Sequence, residues 1–329
     1  MTRPRLGFLG TGWIGRHRMA AMLATGAVEA AAICEPDWEN AVAAAELAPE
    51  AKLVPSYEAL LAERLDGVVI ATPSALHAEQ AIAALESGAA VFCQKPLGRN
   101  AAEVRAVVEA AQAADRLLGI DLSYRHTAAA RAMAEAVRGG ALGQVYAADL
   151  TFHNAYGPDK PWFYYRTLSG GGCVIDLGVH LVDLILWLLG FPTVEGVDAR
   201  LFAKGQPLPL DAEEVEDLAF ARLDLAGGAA VRLACSWHLH AGQDAVIETV
   251  FHGTEGSAAM RNVGGSFYDF EAVVARGTAR EVVASPPDEW GGRAAAAWAE
   301  QLAVEGSFEA EVAGAERVAE VLDRIYAGG

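Results

Sequence analysis

The string Gly10-Thr11-Gly12-Trp13-Ile14-Gly15 follows a short apolar run, Arg5 to Gly10, and opens an Ala-rich stretch with helical spacing from about Ile14 to Thr25. Glycines at these three places suit a strand that turns sharply into a helix. Gly10 permits the tight turn, Gly12 lets the backbone approach a ligand, and Gly15 lets the helix pack on the strand. The same grammar repeats through residue 121. Strands are expected over Val28–Cys34, Gly67–Ala71, Ala90–Cys93 and Leu117–Asp121, and helices over Asn40–Leu47, Tyr57–Leu65, Ala75–Glu86 and Ala101–Ala114. Such alternation predicts a Rossmann-type, doubly wound parallel sheet with right-handed crossovers.

After Asp121 the pattern changes. One helix (Ala128–Gly139) and one strand (Gln144–Phe152) precede an aromatic, Gly-rich segment and a helix over Cys173–Leu189. Strands then follow one another with Gly-rich turns over Val194–Ala203, Glu216–Leu225, Ala229–His238, Ala245–Phe251, Ser257–Arg261, Phe267–Val274 and Arg280–Val283, and a helical region closes the chain. Consecutive strands without helices predict a large, mostly antiparallel open sheet in an α+β domain. The expected division is a nucleotide-binding domain over 1–121 and a substrate-binding and oligomerisation domain over 122–329.

Charge narrows the partners. Lys and Arg number 25 against 43 Asp and Glu, a formal net charge of −18, so nucleic acid and anionic membrane surfaces are not expected. The most apolar stretch, Leu181–Phe191, contains Asp183 and falls short of the roughly 20 residues of a spanning helix. Four scattered cysteines without a C-x-x-C pattern suggest neither zinc nor disulfides. Glycines interrupt the N-terminal apolar run, so no leader is expected and the location is read as cytoplasmic.

A helix that begins at a Gly-rich turn offers amide donors and a positive dipole end to phosphates. In a dinucleotide site an acidic residue about 20 positions later accepts from the ribose diol, and Glu35 stands there at the end of the second strand. Its carboxylate repels a 2′-phosphate, and no Arg or Lys lies between Glu35 and Glu50, so NAD is favoured over NADP.

Three further strings occur in order: Val69-Ile70-Ala71-Thr72-Pro73-Ser74-Ala75-Leu76-His77, Gln94-Lys95-Pro96, and Gly170-Gly171-Gly172-Cys173-Val174-Ile175-Asp176-Leu177-Gly178-Val179-His180. With the first motif they make the chain resemble, over essentially its whole length, the glucose–fructose oxidoreductase / inositol dehydrogenase family (Gfo/Idh/MocA). The resemblance implies an NAD-dependent dehydrogenase acting on a CH–OH group of a sugar, sugar derivative or polyol. It implies Lys95, Asp176 and His180 as the catalytic and substrate-binding set. Cofactor contacts fall to Gly10, Gly12, Trp13, Ile14, Gly15 and Glu35, then to Thr72, Pro73, His77, Gln94 and Lys95.

The residues agree with those roles. Asp176 and His180 are four apart on one expected helix and share a face. The three glycines before them let backbone enter the site closely, and Lys95 lies beyond the carboxyl end of a parallel strand. His180 is expected as general base in alcohol oxidation, Asp176 to orient it or bind a neighbouring hydroxyl, and Lys95 to stabilise alkoxide charge. One departure stands out: Gln94 replaces the family's usual Glu, which removes an anion beside Lys95 and favours its neutral form. The family also joins subunits through its antiparallel sheet, which implies a homodimer or homotetramer.

Weaker signals remain. Aromatic and polar residues over Phe152–Arg166 suit a sugar, with Trp162 and Arg166 the expected contacts. Arg125 is either structural or holds a polar substrate. His238 and His240 are expected as a surface pair rather than a metal site, and the acidic run Asp211–Asp217 as a solvated loop. Two other readings stay open: a sensor of the same fold without turnover, and an oxidoreductase for a non-sugar substrate such as a dihydrodiol.

Overall fold

The computed structural model describes residues 3–209 and 212–328. Strands and helices first alternate: β1 (Arg5–Leu9), α1 (Trp13–Ala24), β2 (Glu29–Cys34), α2 (Trp38–Leu47), β3 (Lys52–Leu53), α3 (Tyr57–Leu61), β4 (Gly67–Ile70), α4 (Ser74–Glu86), β5 (Ala90–Cys93), α5 (Ala101–Ala114) and β6 (Leu118–Ile120). Then follow α6 (Ala128–Arg138), β7 (Val145–Asn154), α7 (Arg166–Ser169), α8 (Val179–Leu188), β8 (Val194–Ala203), β9 (Gln206–Pro207), β10 (Leu218–Leu225) and β11 (Ala230–Ser236). The chain continues through β12 (Ala245–Gly253), β13 (Ser257–Asn262), β14 (Phe270–Arg276), β15 (Ala279–Ala284), α9 (Arg293–Val304) and α10 (Gly314–Tyr326).

The first six strands form one parallel sheet in the order β3-β2-β1-β4-β5-β6. Runs such as Val68-Val69-Ile70 and Val91-Phe92-Cys93 are buried throughout, as a sheet covered by helices on both faces requires. Strand order reverses between β1 and β4, and ligands bind at such switch points, outside the strands' carboxyl ends. The remaining nine strands form a second sheet, β15-β14-β13-β12-β7-β11-β10-β8-β9, antiparallel except where β7 meets β11. Its inner positions join α6, α8 and α10 in one core, while Arg200, Phe220, Arg222 and Arg232 are exposed.

Two compact units result: residues 1–123 with 291–313, and 124–290 with 314–329. The closing helical region, expected to belong wholly to the second domain, is therefore divided between them. The reason is a side chain. Trp298 of α9 is buried against Phe92, ring centroids 5.7 Å apart, and a Cβ on Gly67 or Gly119 would come within 2.9 or 2.5 Å of its ring. Helix α10 instead buries Val318, Val321, Leu322 and Ile325 in the core of the second unit.

The apolar stretch Leu181–Phe191 overlaps a longer segment, Arg166–Leu188, 23 residues, long and apolar enough by composition to cross a bilayer. However, 89 % of its most apolar stretch is buried inside the protein, which places it in the core as its sequence suggested. One other expectation is corrected. The strand expected to reach His238 stops at Ser236, because His238 adopts a left-handed backbone with φ of 58°. His238 and His240 thus lie in a loop rather than alternating on a strand. Among the described residues no group of three potential metal ligands occurs.

Candidate active site

Gly10 ends β1 with φ of 80°, and a Cβ there would meet the Ala71 carbonyl oxygen at 2.7 Å. A Cβ on Gly15 would strike the Gly10 oxygen at 2.2 Å, whereas one on Gly12 would meet nothing within 4 Å. Gly10 and Gly15 are therefore glycine for backbone reasons, and Gly12 leaves open space at the start of α1. That helix begins without a side-chain cap and without an acid in its first turn. Its first amides are left for an anion. Trp13 and Ile14 follow directly, Trp13 well exposed.

Glu35 follows β2 with its carboxylate held by two amides: Oε2 accepts from Thr11 N–H at 2.5 Å and Oε1 from Asp37 N–H at 3.0 Å. The Thr11 hydroxyl also donates to Oε2, at 3.5 Å, and a carboxylate oxygen held this way can still accept from a hydroxyl of a ligand. Arg16 of α1 donates to the Thr11 carbonyl at 2.9 Å and to Asn40 Oδ1 at 2.6 Å. A guanidinium thus holds the Thr11 carbonyl while Glu35 holds the Thr11 N–H, and this cation lies outside residues 35–50. An uncapped Gly-rich helix start, open space at Gly12 and an oriented carboxylate at the end of β2 together fit a dinucleotide.

Thr72 and Pro73 lie between β4 and α4, where Thr72 Oγ1 donates to Gln80 Oε1 at 2.6 Å. His77 departs from its expected place at the cofactor. Its ring is 1 % exposed, and its two nitrogens lie 2.7 Å from the carbonyl oxygens of Thr72 and Pro96. Burial pushes its pKa down while those two carbonyls push it up. His77 is a strut that ties the loop after β4 to the loop after β5.

The loop after β5 carries Gln94 and Lys95, and the Lys95–Pro96 peptide is cis. Gln94, which stands where the resemblance leads one to expect Glu, is itself bonded to an anion. Gln94 Nε2 donates to Asp121 Oδ2 at 2.5 Å, and Arg18 Nε donates to the same oxygen at 2.5 Å. Ser123 completes the cluster, donating to Asp121 Oδ1 and accepting from Arg18 Nη2 at 3.1 Å. A carboxylate thus stands beside position 94, at the end of the neighbouring strand.

In the second unit, Gly170-Gly171-Gly172 leads into a π-helical turn over Val174–Gly178, and α8 follows at once. Asp176 sits in the π turn, where Trp237 Nε1 donates to its Oδ2 at 3.1 Å. His180 sits in the first turn of α8, buried, with its ring centroid 4.7 Å from that of Tyr124 and 6.4 Å from that of Phe152. Tyr124 in turn packs on Phe270 and Trp290. Neither Trp237 nor Tyr124 stood out in the sequence, because each gains its role from neighbours far along the chain.

The acidic run expected as a solvated loop is exposed at Glu213 and Glu214 but not at Glu216. Asp211 lies outside the described residues, but Glu216 is 1 % exposed and accepts from Gly172 N–H at 3.0 Å and Val174 N–H at 2.8 Å. Burial pushes its pKa up, opposed by those amides and the Tyr326 hydroxyl.

The expected substrate residues fall in different settings. Trp162 stacks on Phe163 at 3.8 Å, and Phe163 and Tyr164 both pack edgewise on Trp237, the donor to Asp176. Arg166 donates to the Ala212 carbonyl at 3.1 Å and lies over the Tyr326 ring. Arg125 forms a two-bond pair with buried Asp183 and lies over Trp187 and Phe191. Burial raises the Asp183 pKa, with Arg125 opposing.

Comparison with known proteins follows the same division. Residues 5–122 match the model for the oxidoreductase family with an NAD-binding Rossmann fold, and residues 130–259 match the GFO/IDH/MocA C-terminal domain. The chain is 33 % identical to 1,5-anhydro-D-fructose reductase of Ensifer adhaerens, over 79 % of this chain and 76 % of that one. It is 28 % identical to D-glucoside 3-dehydrogenase of Escherichia coli, over 78 % and 76 %. A solved levoglucosan dehydrogenase, complexed with NADH and levoglucosan, shares the fold with a TM-score of 0.82 at 23 % identity, covering 99 % of this chain and 97 % of that one. Two domain matches in the right order, and a relative that similar over that much of its length, place the chain in the Gfo/Idh/MocA family of oxidoreductases.

Proposed function

We propose that this protein transfers hydride between a nicotinamide and a carbinol or carbonyl carbon of a sugar, sugar derivative or polyol, with NAD favoured over NADP. The observation that carries the reading is the pairing, in one chain, of the Gly10–Gly15 turn and its oriented Glu35 with the Asp176/His180 segment braced by Trp237 and Tyr124. The relatives' names, a glucoside dehydrogenase and an anhydrofructose reductase, point to the substrate class.

When bound, the nicotinamide supplies the hydride acceptor. His180 removes the hydroxyl proton as the carbon gives up hydride, and returns it in the reverse direction. Lys95 donates a hydrogen bond to the reacting oxygen and stabilises its developing charge. Asp176, held by the Trp237 indole, orients the histidine or receives a neighbouring hydroxyl. Trp162 offers an aromatic face and Arg166 a polar rim to the ring. The amide-held Glu35 receives the ribose diol. The exposed sheet face bearing Phe220 joins subunits into a homodimer or homotetramer, and the protein works in the cytoplasm.

The test is reduced-nicotinamide absorbance with NAD and NADP against aldoses, inositols, amino sugars and uronic acids. Turnover on one class is the expected result. Silence across the panel with NADH still bound would sink the reading. Glu35→Ala is expected to raise KM for NAD about tenfold or more while leaving that for NADP within about twofold, since Arg16 remains. Equal loss for both cofactors would remove Glu35 from the ribose.

A further inference from the structure

The amides at the start of any helix need acceptors from outside it. For the segment carrying Asp176 and His180, those acceptors come from remote parts of the chain. Glu216, just before β10, takes Gly172 N–H on both oxygens at 3.0 Å and Val174 N–H on Oε1 at 2.8 Å. Its main-chain oxygen takes Cys173 N–H at 3.0 Å. Ile175 N–H donates at 3.1 Å to the hydroxyl of Tyr326, the last residue of α10, and that hydroxyl donates to Glu216 Oε1 at 2.9 Å. Four successive amides, 172 to 175, are thus held by two residues.

The glycines belong to the same device. A Cβ on Gly171 would lie 2.0 Å from the Tyr326 hydroxyl, and one on Gly172 would lie 1.9 Å from the Glu216 carbonyl oxygen. At these two positions glycine admits the clamp. The last two clamped amides, Val174 and Ile175, open the π turn, which contains Asp176 and leads to His180 in the aromatic cluster.

We propose that Glu216 and Tyr326 are positioning residues for the reaction: by holding amides 172–175 they set the π turn and thereby the placement of Asp176 and His180. This rests on the oxidoreductase reading above. The purpose of a buried carboxylate here is rigidity. A carboxylate that accepts several amides and a phenol fixes their directions, and a site displaced by about 1 Å loses up to about 10²-fold in rate.

Two variants separate positioning from plain stability. Tyr326→Phe deletes only the hydroxyl, and Glu216→Gln keeps the volume while replacing an acceptor oxygen with a donor. Active sites are counted by NADH titration, so unfolded protein does not enter the rate. Each variant is expected to lower kcat per site about tenfold or more, with NADH affinity and sugar KM within about threefold. Hydrogen exchange of amides 172–175 is expected to quicken about tenfold or more, which a role confined to substrate contact would not produce. The proposal is overturned if both variants keep kcat within about twofold, or if exchange at 172–175 is unchanged in both. A wild-type protein silent toward every substrate would overturn the oxidoreductase reading instead, and the exchange measurement alone would then decide the clamp.

Discussion

His180→Ala is expected to lower turnover about 10²- to 10⁴-fold, the range that loss of a positioned general acid–base commands, while NADH binding stays nearly intact. Two effects must be separated. The His180 ring is buried against Tyr124 and Phe152, so truncation leaves a cavity as well as removing the base. His180→Phe keeps an aromatic ring in that setting and removes only the proton-carrying nitrogens. The expected result is the same loss of turnover in both variants, with the Phe variant melting closer to the wild type. Activity that survives His180→Phe would place the base elsewhere. Activity lost in the Ala variant alone would show that the ring acts by packing.

The nucleotide-binding unit was legible because its signals are local. The turn from β1 to α1 is written in six consecutive residues, and Glu35 follows at a spacing set by one helix and one strand. The succession of strands along the second part of the chain was legible for the same reason, since glycines mark turns such as Gly227-Gly228 and Gly264-Gly265, but the place of β7 between β11 and β12 was not. What escaped depends on contacts between remote residues. Glu216 reads as one acid in a solvated run, and only Gly172 and Val174, 44 and 42 residues earlier, show it to be buried. Tyr326 reads as a helix end until its hydroxyl is seen on Glu216, 110 residues away. The final helical region gives no sign of its division, because the decisive feature is the space that Gly67 and Gly119 leave for Trp298. Arg125 left two readings open, and its partner Asp183 lies 58 residues later, out of reach of any local signal.

Gln94→Glu would return to this chain the residue that its resemblance to the family leads one to expect, and it is nevertheless expected to destabilise the first unit by about 3–5 kcal/mol at neutral pH. The Gln94 amide is buried and donates to Asp121 Oδ2 at 2.5 Å, while Arg18 donates to that same oxygen. The substitution exchanges a donor for a second acceptor and asks one guanidinium to neutralise two carboxylates. Two carboxyls this close retain a proton between them in the folded state. Below about pH 4.3 the unfolded chain also carries that proton, so the deficit against wild type is smallest there. Above it the unfolded chain releases the proton and the folded chain does not, so stability relative to wild type falls as pH rises toward 8. Denaturant melts from pH 5 to 8 measure that slope. Combining Gln94→Glu with Asp121→Asn restores one carboxylate for Arg18 and is expected to recover most of the loss. A single variant as stable as wild type at pH 8, or a double variant no better than the single, would show that the Asp121 charge is not what opposes a carboxylate at position 94.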